Sequence, residues 1–395
     1  MAQNQNPVSV NSLQSSPLFH LSLTSKELFH SNFLYWLGVT YRDLFKETFS
    51  KLGCNTAAWP DKWEVEREYK ADKSISLDLC VKGPGKKGKI YLVLENKVKS
   101  IPNQKQLNRY EAIGNLADTC DFILLSLATD FPDKDQIDAN SGGKWIVWNY
   151  GDLAAALDKA LTSCGGNISP FHKAILEDYI QMVRGLDGLF GHLTVDDDSR
   201  YGYAEDDELR EYINLLKQLR MADVYEKVWA SLLAGRLKQM LKDRFADRNI
   251  AIESGYKIEE IGESTERRLA KIYVDSGYTN KQGVVDAKVK IDNRYVLTVQ
   301  IQGKQYRHAI ECLGMQEDQW ENIKNEALFP DWFSSTAHGN QLDGQTKDHC
   351  KYVDKKSNSI FLYRYRKIGK DEKVSDVLDE VVNDICHIFE TYGQH

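Results

Sequence analysis

SISLDLCVKGPGKKGKIYLVLENK, Ser74 to Lys97, decides the fold. Gly83, Gly88 and Lys89 in its middle have the spacing of a phosphate-cradling G-x-x-x-x-G-K loop. That loop needs a Ser or Thr after the lysine to hold magnesium, and a helix whose amino terminus faces the phosphate. Here Ile90 follows, and IYLVLEN is a dense apolar run with β-branched and aromatic members, which reads as a strand. The stretch is therefore expected to be a hairpin closed by the PGKKG turn. Pairing centred between Lys86 and Lys87 makes partner numbers sum to 173, which sets Asp78 opposite Glu95. Side chains alternate along a strand, so Asp78, Glu95 and Lys97 share one face, while Leu77, Leu79, Leu92 and Leu94 line the other.

Opposed carboxylates on adjacent strands repel, at a cost of up to about 1 kcal/mol for a cross-strand pair. A hard divalent cation offsets such repulsion, because magnesium binds one or two carboxylates, keeps several waters and completes its shell with phosphate oxygens. A lysine two residues further on then stabilises developing charge or helps deprotonate water. The bland reading of the same residues is a solvated polar hairpin face on which the lysine pairs the acids.

Outward from the hairpin, a helix is predicted from about Ser25 to Gly38, then a strand at WEVEREYK before the hairpin. A helix from about Asn103 to Ala117 and strands at DFILLSLA and KWIVWNY come after it. Helices near Gly151 to Leu161 and Pro170 to Leu189 complete an α/β domain with one mixed sheet. Acidic, loop-like composition from Thr194 to Glu208 marks a boundary. The expected organisation is a flexible segment over 1–24, an α/β domain over 25–192, an acidic linker over 193–207, and an α+β domain of unassigned role over 208–395.

Asp78 followed by Glu95-Asn96-Lys97 at the end of the next strand resembles the metal-binding signature of the PD-(D/E)xK nuclease superfamily, whose core is restriction-endonuclease-like: helix, three-stranded meander, helix, strand. Gln106-Leu107-Asn108-Arg109-Tyr110 resembles the Q-x-x-x-Y helix motif of its RecB-like members. SKELFHSNFLYWL, Ser25 to Leu37, is similar to the opening helix of bacterial proteins of that group, where a glutamate, here Glu27, completes the acidic site. The resemblance covers about Thr24 to Trp148. It implies a nuclease holding Mg2+, with Mn2+ as a substitute, through Asp78, Glu95, the Asn96 carbonyl and Glu27, with Lys97 assisting the attacking water. Gln106, Tyr110, Lys99 and Arg109 would then meet the substrate backbone, DNA in preference to RNA, in bacterial defence or repair. Ser76 departs from the pattern, since many relatives carry a basic residue there.

Rival readings stand beside this one. Glu68-Tyr69-Lys70 is an E-x-K triplet after Pro60-Asp61, but only six residues separate Asp61 from Glu68, too few for two strands and a turn. Asp286 with Gln302-Gly303-Lys304 substitutes Gln for the acid and lacks a Gln/Tyr helix. Gln106 also fits as the N3 partner of an Asn103 cap, Tyr110 as a core residue, and His30 as a hydrogen-bonded support. The alternative function is a catalytically silent or partner-activated nuclease-like adaptor, with a protein partner on the C-terminal domain.

Bulk composition narrows the class further. The chain of 395 residues has a formal charge of −7, which opposes a protein that coats nucleic acid by bulk attraction. Yet Lys82 to Arg109 holds eight basic residues against one acid, Glu95. Seven scattered cysteines without a C-x-x-C suggest reduced thiols, and His349-Cys350 and Cys386-His387 have poor spacing for zinc. With neither a signal-peptide pattern nor a bilayer-length apolar run, the expected location is cytoplasmic, without membrane contact, and a homodimer is an open option.

Overall fold

Five strands form the first sheet in the order β1-β2-β3-β4-β5: β1 (Glu64–Lys70), β2 (Ser76–Lys82), β3 (Ile90–Lys97), β4 (Leu116–Ser126) and β5 (Trp145–Trp148). The computed structural model describes residues 13–23, 26–72, 75–98, 102, 104–128, 131–190, 193–201, 207–256, 271–292, 295–312, 329, 332–342 and 360–392. It divides into two units, Met1–Leu193 with Leu216–Val228, and Thr194–Leu215 with Trp229–His395.

The antiparallel β2–β3 pairs Leu79↔Leu94, Cys80↔Val93 and Val81↔Leu92 follow the predicted register. A bulge between Val81 and Lys82 then brings Lys82 opposite Ile90. The glycine-rich stretch is the turn itself. Gly85 has φ 88°, and a Cβ on Gly88 would lie 2.0 Å from the Gly83 carbonyl oxygen. No helix follows it, so the phosphate-loop reading fails.

β3 is the central strand, buried at every position except half-buried Tyr91, and it pairs in parallel with β4, which pairs in parallel with β5. The expected mixed α/β sheet is thus present. One face carries α4 (Gln104–Glu111), whose Leu107 and Tyr110 pack with Cys80, Val93, Phe122, Leu124 and Trp145. On the other lie α2 (Lys26–Thr40), α3 (Arg42–Lys51), α5 (Tyr150–Cys164) and α6 (Pro170–Phe190), with Phe33 of α2 stacked on Tyr179 of α6 at 3.6 Å. The predicted helix to Ala117 stops at Glu111, and Leu116 opens β4 instead. Ile90 N donates to Asn115 O at 2.9 Å, so sheet pairing captures the chain before the helical pattern ends.

The expectation of a flexible segment through residue 24 is corrected by α1 (Pro17–Ser22). Ser16 caps it through its hydroxyl on Phe19 N, and Leu13 and Phe19 are buried. The acidic stretch is likewise not a free linker, because Asp197 pairs with Arg236, and Asp198 with Lys373 at 2.8 Å.

The second unit holds a six-stranded sheet in the order β11-β10-β9-β8-β7-β6: β6 (Ala251–Glu253), β7 (Lys271–Thr279), β8 (Gln282–Lys290), β9 (Tyr295–Gln302), β10 (Gln305–Cys312) and β11 (Ile360–Lys367). Its last helix, Val374–Tyr392, is tied to the sheet by buried polar groups: Asp384 takes His308 Nε2 at 2.7 Å, and Glu380 meets Arg366. Among the described residues no helix is long and apolar enough to cross a membrane.

Candidate active site

The β2–β3 ladder ends at Leu79↔Leu94, and the next position holds Asp78 and Glu95, as the register requires. Glu95 is 2% exposed. Its Oε1 accepts from Lys97 Nζ at 2.6 Å and from Gln106 Nε2 at 2.8 Å. Gln106 also reaches the Tyr110 hydroxyl at 2.7 Å, and that hydroxyl donates to Ser76 O at 3.2 Å. Residues 106 and 110 are one helical turn apart, so both meet the sheet from the same face of α4. The arrangement differs from the expected substrate contact: Tyr110 is buried, and the pair braces Glu95.

Asp78 is held from the main chain, its Oδ2 accepting from Asn96 N at 2.8 Å. Burial pushes its carboxyl above the usual range; the Asn96 amide and the Lys97 charge oppose this, and the Glu27 and Glu68 charges add to it. Glu95 is pushed up to about 7, first by burial and then by the Asp78 charge, against the pull of Lys97. One lysine therefore faces more negative charge than it neutralises, and Glu95 Oε2 is buried without a hydrogen-bond partner. An orphaned acceptor of this kind marks a place where a further group belongs.

Glu27 lies in the first turn of α2, half-buried, with Oε1 accepting from Val98 N at 3.3 Å and its carbonyl accepting from Asn96 Nδ2 at 2.7 Å. It borders the site, but among the described residues no three His, Cys, Asp or Glu side chains gather closely enough to hold an ion. The oxygen donors on hand are thus the Asp78 and Glu95 carboxylates with the Asn96 carbonyl, a hard set suited to a hard divalent cation. Lys99 falls outside the described residues. Arg109 is exposed on α4. The basic run is dispersed, with Lys82 buried against Glu64 and Glu66 at 3.0 Å each and Lys86, Lys87 and Lys89 exposed at the turn.

Two neighbours escaped the sequence reading. Glu68 belongs to the rejected E-x-K triplet, yet the β1–β2 register, Arg67↔Leu79 and Tyr69↔Leu77, sets it across from Asp78, with φ 47°. Tyr150, at the start of α5, donates its hydroxyl to Asn96 Oδ1. His30 is a support: it is fully buried, Nδ1 meets the Tyr179 hydroxyl at 3.0 Å, and burial lowers its pKa to about 3. Asp286 belongs to the second sheet, where its Oδ1 accepts from Gln300 at 2.8 Å. Among the described residues Cys386 and His387 gather no metal group, and His349 and Cys350 lie outside the described residues.

A mixed sheet with two carboxylates and a lysine at the end of its central hairpin defines a nuclease-like α/β domain. Residues 39–181 match the family model of the PD-(D/E)XK nuclease superfamily. The matched span includes Asp78, Glu95, Lys97, Gln106, Tyr110 and Tyr150, and begins after Glu27. Searches of curated proteins and of solved structures return no match.

Proposed function

We propose that the protein is a divalent-metal-dependent nuclease that hydrolyses phosphodiester bonds of DNA. The observation that carries this reading is the buried Asp78–Glu95 pair, undercompensated by Lys97, with an orphaned oxygen on Glu95. Mg2+, or Mn2+ in its place, would be held by Asp78, Glu95 and the Asn96 carbonyl with Glu27 beside them, and would supply charge for the phosphate and a lowered pKa for the attacking water. The chain's own residues do the rest. Asn96 N fixes Asp78, while Gln106 and Tyr110 fix Glu95. Lys97, tethered to Glu95 at 2.6 Å, keeps a positive charge beside the reacting phosphate and orients the nucleophile. Exposed Arg109, on the helix that braces Glu95, is available to a phosphate backbone.

The test is cleavage of duplex DNA, single-stranded DNA and RNA by the full chain in Mg2+, in Mn2+ and in EDTA. Metal-dependent cutting of DNA is expected. A chain that cuts none of these with either metal contradicts the proposal.

A further inference from the structure

Adjacent strand residues point to opposite faces, so while Glu95 and Lys97 meet α4, Asn96 between them enters the layer beneath the sheet. There it is fully buried, and every polar atom of its side chain is engaged: Nδ2 donates to the Glu27 carbonyl at 2.7 Å, and Oδ1 accepts from the Tyr150 hydroxyl. Tyr150 is itself fully buried and set at the start of α5 by a reciprocal cap. In that cap Asp152 N donates to Asn149 Oδ1 at 2.7 Å and Asn149 N donates to Asp152 Oδ2 at 3.0 Å. The same Asn96 presents its main-chain amide to Asp78. One residue thus links α2, α5 and the Asp78 carboxylate at the point where β3 carries Glu95 and Lys97.

We infer that Tyr150 is a positioning residue for the acidic site: its hydroxyl anchors the Asn96 side chain, and through it the main chain that orients Asp78 and offers the Asn96 carbonyl. The inference rests on the proposed metal-dependent reading. Rotation of Asn96 would turn its amide from Asp78 and its carbonyl from the ion, a change on metal before substrate. Outer partners of metal ligands carry effects of this kind, in the range of about 10- to 100-fold on affinity.

The experiment measures Mn2+ affinity by calorimetry without substrate, kcat and KM for DNA cleavage, and melting temperature, in the full chain. Tyr150→Phe removes only the hydroxyl. It is expected to weaken Mn2+ binding by about tenfold or more and to lower kcat at saturating DNA with KM nearly constant. Tyr179→Phe is the control, because that buried hydroxyl meets His30 and not Asn96; it is expected to shift melting alone. Asn96→Ala removes the same link from its other end, and keeps the test open if Tyr150→Phe folds poorly. The two changes combined are expected to weaken Mn2+ binding no further than Asn96→Ala alone. Mn2+ binding and kcat of Tyr150→Phe equal to those of Tyr179→Phe would overturn the inference while leaving an active wild type, and with it the proposed function, intact. A wild type that neither binds Mn2+ nor cleaves would overturn both.

Discussion

Glu95 is where the proposed chemistry and the stability of the domain meet. A carboxyl whose folded pKa is raised from 4.5 to about 7 holds a proton that the unfolded chain has already lost in that interval. Stability without metal therefore falls as pH rises through that window, and Asp78, shifted in the same direction, adds to the loss. Melting temperature followed against pH in EDTA is expected to decline from about pH 4.5 to 7, with a shallower slope in Glu95→Gln. A bound divalent ion is expected to cancel the decline. In the proposed mechanism Lys97 acts as a charge and not as a ligand. Lys97→Met is expected to keep Mn2+ binding and to lose about 100-fold or more in turnover, checked by calorimetry beside single-turnover cleavage.

Among the elements, the hairpin turn and the end of β3 that carries Glu95 and Lys97 are separable. A Cβ at Gly88 would sit 2.0 Å from the main-chain oxygen of Gly83, so Gly88→Ala forces the backbone to move and is expected to cost about 1–3 kcal/mol in denaturant unfolding. Glu95 lies about 20 Å along the strand from that turn, so cleavage below the melting range should be unchanged. The hairpin was legible in the sequence because its signals agree: an apolar run on each side, a glycine turn between, and a register that numbers alone determine up to the bulge at Val81. The end of α4 was not, since Asn115 and Leu116 continue a helical pattern that sheet pairing overrides. The site divides along the same line. Asp78, Glu95 and Lys97 are local to one hairpin and could be read from spacing. Tyr150 meets Asn96 across 54 residues of chain, and Glu68 acquires its place only from strand register. Nothing in the residues flanking either one signals that proximity.

For the whole molecule, the unit that holds the site draws on Leu216–Val228, whose Leu216, Leu219, Met221, Val224 and Tyr225 are buried. A fragment ending near residue 193 would lack them, and is expected to be less soluble and to melt lower than full-length protein; adding residues 216–228 in trans as a peptide should raise its melting temperature. A fragment as stable as the full chain would show that this segment contributes nothing to the unit. The proposed function requires that Asp78 and Glu95 together hold a divalent ion on which phosphodiester cleavage depends. Calorimetric titration of Mn2+ into wild type, Asp78→Asn and Glu95→Gln, each then assayed for DNA cleavage, tests it most directly. The predicted result is saturable binding by wild type, and loss of both binding and cleavage in each variant, with folding retained by circular dichroism. Wild-type binding and cleavage in both variants would contradict it.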